Sequence, residues 1–163
     1  MLGVGCGDEA REPSSRSSSG FTETSPSSDG RSLGRCEFPP FRPAFLPWLK
    51  AGQPPPPPSR ERFDGYAQLA WSARDSSYLV FWRVNGPLGG PGEPAPSLPN
   101  GAVGYLYEAT GTDEDIAAWA IVWADPQGDG CNETTLSLYS PSLTKQEGKR
   151  QILRLAASLK NAP

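Results

Sequence analysis

Hydrophobic and polar positions alternate with period two through the middle of the chain and switch to a helical period near its end. Over residues 116–124, Trp119, Ile121 and Trp123 fall on one face of a strand and Ala118, Ala120 and Val122 on the other. Both sides are apolar, which predicts a strand inside a sheet rather than at its edge. Over residues 133–139, Leu136 and Leu138 oppose Thr135, Ser137 and Tyr139, the alternation of an antiparallel strand with one wet side. Asp125-Pro-Gln-Gly-Asp-Gly130 between them predicts a hairpin turn. A helix is then predicted over 145–160: Thr144 and Glu147 have the spacing of a capping box. Ile152, Leu155, Ala156 and Leu159 form one apolar stripe, while Lys149, Arg150, Arg154 and Lys160 stay in solvent; the basic residues late in the helix suit the negative end of its dipole.

Earlier in the chain the period-two pattern predicts three more strands. They are 65–73, with Leu69 and Trp71 on one face; 77–84, where Tyr78, Val80, Trp82 and Val84 oppose Leu79, Phe81 and Arg83; and 102–109, which groups Val103, Tyr105 and Tyr107. Arg74-Asp-Ser-Ser77 supplies a turn between the first two. Upstream, Phe38-Pro-Pro-Phe-Arg-Pro-Ala-Phe-Leu-Pro-Trp48 alternates prolines with large apolar side chains, which predicts an extended segment laid across the core. Phe41, Phe45, Leu46 and Trp48 are its candidates for burial. Residues 54–58 are consecutive prolines and predict a stiff polyproline II spacer. Residues 85–101 hold five prolines, five glycines and one charged side chain, Glu93, and predict a mobile loop. The expected fold is α+β: about five antiparallel strands with one C-terminal helix packed on a sheet face, in a single domain over 36–163.

Composition limits what surrounds that domain. The chain has 163 residues, 36% of them apolar, with a net charge of −3, 19 prolines and 18 glycines, so one modest core with unstructured flanks is expected. A basic patch is missing, and nucleic acid is not an expected partner. No stretch is long and apolar enough for a membrane span. Residues 7–35 carry serine and charge with little to bury, as in Pro13-Ser-Ser-Arg-Ser-Ser-Ser-Gly20, and predict a disordered tether.

Histidine is absent from the whole sequence, which excludes Ser–His and Cys–His nucleophilic pairs and histidine metal sites. No glycine-rich phosphate loop precedes a helix. The segment 125–130 imitates the start of a calcium loop, but its twelfth position is Leu136 instead of glutamate. Asp113-Glu-Asp115 predicts a solvated turn, and Asn132-Glu-Thr134 matches the N-glycosylation pattern. No catalytic residue, metal ligand or cofactor is expected.

At the start of the chain, Met1-Leu-Gly-Val-Gly5 ahead of Cys6 resembles the lipobox of bacterial lipoproteins, with Leu2 one place earlier than the leucine of that motif. The resemblance implies that residues 1–6 are the remnant of a signal peptide and that Cys6 carries lipid. It also implies that the reading frame extends upstream and that the chain is extracytoplasmic, anchored to the cell membrane. Residues 119–123, the strand ending at Tyr139 and Ile152-Leu-Arg-Leu-Ala-Ala-Ser-Leu159 resemble small domains of bacterial envelope lipoproteins and of the extracytoplasmic parts of sigma-factor regulators. This likeness implies a binding or sensing role and carries over no catalytic residue.

With Cys6 assigned to a lipid, Cys36 and Cys131 are left to pair in an oxidising compartment; two unrelated buried thiols are the alternative. Two classes of function stay open. One is a tethered envelope module that binds a protein, glycan or lipid through a sheet face or its loops. The other is a hydrolase or metal-dependent enzyme built on carboxylates or serines.

Overall fold

The computed structural model describes residues 35–86, 92–108, 117–126 and 128–162. Along the chain come β1 (Phe41–Arg42), β2 (Ser59–Phe63), β3 (Tyr66–Ser72), β4 (Tyr78–Val84), β5 (Glu93–Ala95), β6 (Gly104–Glu108), β7 (Ala117–Ala124), β8 (Glu133–Ser140), helix α1 (Lys145–Ala157) and β9 (Lys160–Asn161). Seven of these strands pair antiparallel in the order β2-β3-β4-β8-β7-β6-β5. Two meanders, β2 to β4 and β5 to β8, therefore meet where β8 docks on β4, with Leu79 opposite Leu138 and Phe81 opposite Leu136.

The α+β class and the five expected strands are present, and the described residues contain four strands more. Strand β2 reads Ser-Arg-Glu-Arg-Phe, without an apolar face to reveal it. β5 contains Pro94, which a sheet tolerates at an edge because no ladder donor is needed there. Both are edge strands. β5 also falls inside the segment expected to be a mobile loop. So does a turn at its end, where Gly101 N donates to Leu98 O at 2.8 Å and Leu98 N to Ala102 O at 2.9 Å. With Leu98 buried, residues 92–101 are part of the fold.

The helix begins as expected: Glu147 N donates to Thr144 Oγ1 at 3.3 Å and Thr144 N to Glu147 Oε2 at 3.0 Å. It ends three residues earlier than its periodicity predicts. Ser158 caps it, its hydroxyl donating to Leu155 O at 2.8 Å, and Lys160 and Asn161 turn away to pair with Arg42 and Phe41.

One sheet face is covered. On it lie Leu69 and Trp71, Leu79 and Phe81, Leu136 and Leu138, and Trp119, Ile121 and Trp123, all in one cluster with Ile152, Leu155 and Ala156 of α1, with Leu159 just after it, and with Phe41 and Leu46 of the N-terminal segment. Phe45 and Trp48 are only partly buried against it. Burying a side chain of this size contributes about 1.5–3 kcal/mol, so this face is where the stability lies. Three indoles fix what crosses it. Trp71 Nε1 donates to Pro56 O, Trp119 Nε1 to Lys145 O and Trp123 Nε1 to Pro96 O, each at 2.9 Å. They satisfy buried ring donors while tying the proline spacer, the helix start and the β5–β6 connection to the sheet. The last of these needs Gly104, where a Cβ would stand 2.4 Å from Trp123 Nε1.

Candidate functional site

The opposite sheet face has no layer of described elements over it. Strand register puts Tyr66 and Gln68 of β3, Tyr78, Val80 and Trp82 of β4, Thr135, Ser137 and Tyr139 of β8, Ala118, Ala120 and Val122 of β7, and Tyr105 and Tyr107 of β6 together there. The arrangement is graded. Small residues of β7 and β8 form a floor, Tyr78 and Trp82 rise on the β4 side, and Tyr105 and Tyr107 rise on the β6 side. β4 and β6 are three strand positions apart, about 14 Å at the usual spacing. The result is a shallow groove along the strands. At one end the Tyr78 and Tyr139 rings stack with centroids 4.9 Å apart. Beside them a hollow of about 190 Å³ is lined by Tyr78, Trp82, Ala118, Ser137 and Tyr139.

Charge is scarce on this face. Its strand positions include Glu61 of β2 and Glu133 of β8 and neither lysine nor arginine. Glu61 accepts a hydrogen bond from Gln68 Nε2 at 2.6 Å, and Glu133 accepts one from Thr135 Oγ1 at 3.3 Å. Burial first, then the charge of Glu61, raises the Tyr66 hydroxyl above its ordinary value; burial first, then Tyr105 and Glu133, does the same for Tyr107. Both therefore keep their protons and can donate.

The carboxylates of the 125–130 segment lie at the other side of the sheet, where they organise a corner. Arg83 is fully buried and donates to Asp129 through Nη1 at 2.5 Å and Nη2 at 3.1 Å. Asp129 also accepts from Glu37 N at 2.7 Å and Cys131 N at 3.1 Å. Burial pushes the Asp129 carboxyl up, but these donors outweigh it and hold the group below its ordinary value. Asp125 accepts from Asn100 Nδ2 at 2.7 Å and from Thr134 Oγ1 at 3.0 Å. Among the described residues no group of three or more metal-ligating side chains comes together. Beside this corner Cys36 and Cys131 form a disulfide, with Cα atoms 5.5 Å apart and 95 positions between them in sequence. It packs with Ala67 and Phe38.

The remaining sequence-level candidates fall as follows. Asn132 Oδ1 accepts from Gly86 N at 3.1 Å, so its side chain is engaged with the segment that follows β4. Pro55 and Pro58 are partly buried while Pro56 and Pro57 are exposed, so the proline spacer turns one side toward the domain. Cys6, the tether 7–35 up to residue 34 and Asp113-Glu-Asp115 lie outside the described residues. A serine cluster, Ser77 with Ser140 at 2.8 Å and Ser140 with Ser142 at 3.1 Å, joins the ends of β4 and β8. Ser77 Oγ also donates to Asp75 at 3.0 Å, and the Ser142 hydroxyl with the Ser77 N–H lowers the Asp75 carboxyl, which makes it a poor base. A hollow of about 470 Å³ between Trp48, Leu49 and Pro56 is also lined by Ser72, Arg74 and that committed Asp75 carboxylate.

The sequence pattern groups Tyr78 with Trp82, Tyr105 with Tyr107, and Tyr139 with Thr135 and Ser137, but leaves Tyr66 unplaced and does not show the groove. Which face stays open depends on what the helix and the N-terminal segment cover. No known protein family matches the chain, and neither a curated protein nor a solved structure matches it significantly.

Proposed function

We propose that the chain is a binding module of the extracytoplasmic side of the cell, tethered to the membrane through lipid on Cys6, and that the open sheet face receives its ligand. The observation that carries the reading is the asymmetry of the sheet. One face holds the core, while the other leaves Tyr78 and Tyr105 at 42% and 41% exposure beside Trp82, Tyr107 and Tyr139. Aromatic side chains grouped on an uncovered surface are the usual mark of an interaction site, and tyrosine joins an apolar ring to a hydrogen-bonding tip at small entropic cost. The buried Cys36–Cys131 disulfide supports the compartment, since such bonds persist in oxidising surroundings.

The test is hydroxyl-radical footprinting of the protein in intact cell envelopes against the purified protein. Protection of Tyr78, Trp82, Tyr105 and Tyr139 in the envelope is expected. Equal reactivity in both samples overturns the binding surface. Incorporation of a palmitate analogue that is lost in Cys6→Ser tests the anchor, and a wholly soluble, unlabelled protein overturns it.

A further inference from the structure

We propose that the groove takes an uncharged glycan, a single chain of sugar rings lying along β7 and β8. This inference rests on the reading of the open face as the binding surface and adds the class of ligand. Charge is the first argument. Without lysine or arginine on the strand positions of this face, phosphate, sulfate and anionic headgroups find no counter-charge, and Glu61 and Glu133 repel them. Shape is the second. A hollow of about 190 Å³ is below the roughly 300–1,000 Å³ of sites that enclose a small ligand. An acyl chain would keep much of its surface in water there and would also cover the Ser137 hydroxyl. Strand addition by a peptide is the third possibility, and it requires a free sheet edge. The edges are β2 and β5, not the groove, and Pro94 blunts β5.

A sugar ring meets each of the features that remain. Its C–H faces are apolar and flat enough to lie on Trp82 and on the Tyr78–Tyr139 stack. Its hydroxyls are donors and acceptors for Ser137 and for the phenol hydroxyls of Tyr105 and Tyr107, which the strand register places across the β7 and β8 positions. Successive rings would follow the strand direction from the hollow beside Tyr78 and Trp82.

The experiment titrates the full chain with cellohexaose and with the hexamer of N-acetylglucosamine, following amide and aromatic resonances. An uncharged hexapeptide and phosphatidylcholine vesicles are run in parallel. Saturable shifts confined to Tyr78, Trp82, Tyr105, Ser137 and Tyr139 with one of the saccharides are expected. Trp82→Ala should weaken that binding about tenfold or more, and so should Tyr105→Ser, an exposed wall position that leaves the core intact. Lys149→Gln on the covered side should not. Shifts on this face with peptide or vesicles but with neither saccharide overturn the glycan. If neither saccharide moves these signals while the same tyrosines are protected in the envelope, the glycan assignment falls and the binding surface stands. If protection is absent as well, both fall.

Discussion

Arg83 and Asp129 are 46 positions apart in sequence and meet through two hydrogen bonds, with the arginine side chain wholly buried and the aspartate side chain 13% exposed. Arg83 Nη2 also donates to Cys131 O at 3.2 Å and to Asp125 O at 3.3 Å, so one guanidinium holds the β7–β8 connection in place. Removing one member of a buried pair leaves the other charge without compensation, at a cost of about 3–5 kcal/mol. Asp129→Ala should lower stability by about that amount in urea unfolding. Arg83→Met, which removes the buried charge itself, should cost less. A loss below about 1 kcal/mol for Asp129→Ala would show that water, not Asp129, compensates the arginine.

The same pair makes stability depend on acid. Because Asp129 is held below its ordinary value of 3.8, the unfolded chain takes up its proton at higher pH than the native one. Its contribution is complete above that ordinary value and disappears as pH falls through the lower native one. Wild type should lose stability as pH falls below about 4, and Asp129→Asn, already weaker at neutral pH, should show a flatter acid limb. Parallel curves for the two proteins would remove Asp129 from the account.

The disulfide joins residues separated by 95 positions, and chain-entropy reasoning assigns such a loop about 4–5 kcal/mol as an upper figure. Cys36→Ala with Cys131→Ala is expected to lower stability by about 2–5 kcal/mol and to loosen residues 36–42 first, seen as faster amide exchange at Glu37 and Phe41. Unchanged exchange there would mean that Phe41, packed against Phe81 at 6.5 Å, holds the segment alone.

Gly148 lies in α1 where a Cβ would stand 2.4 Å from the Ala117 Cβ and 3.2 Å from Trp119 Cδ1. Alanine there gains up to about 1 kcal/mol of helix propensity, but overpacking costs about 1–3 kcal/mol, and the clash is with a short side chain on a strand that cannot swing aside. Gly148→Ala should therefore destabilise, and Ala117→Gly in the same chain should restore part of the loss. Stabilisation by Gly148→Ala alone would mean that the helix shifts freely on the sheet.

What the sequence determined by itself was local. The capping box of Thr144 and Glu147, the apolar stripe of Ile152, Leu155 and Ala156, and the alternation of Trp119, Ile121 and Trp123 depend on residues within a few positions of one another, and each is found where its pattern puts it. The α+β class follows from them, and the cysteine count reached the Cys36–Cys131 pair only through the assignment of Cys6. Tertiary structure decided the rest. β2 and β5 carry no periodicity and exist because β3 and β6 offer them unpaired edges. The helix stops at Ala157 because Phe41 and Arg42 offer Lys160 and Asn161 strand pairing. Arg83 sits at a core position that its polarity argues against, and only the arrival of Asp129 from another hairpin makes its burial tolerable. The groove depends on the same kind of choice. β4 is apolar on both faces, and alternation cannot say whether Phe81 or Trp82 points to water; one helix and one extended segment cover a single side of a seven-stranded sheet, and the face they leave open is the one that carries the tyrosines.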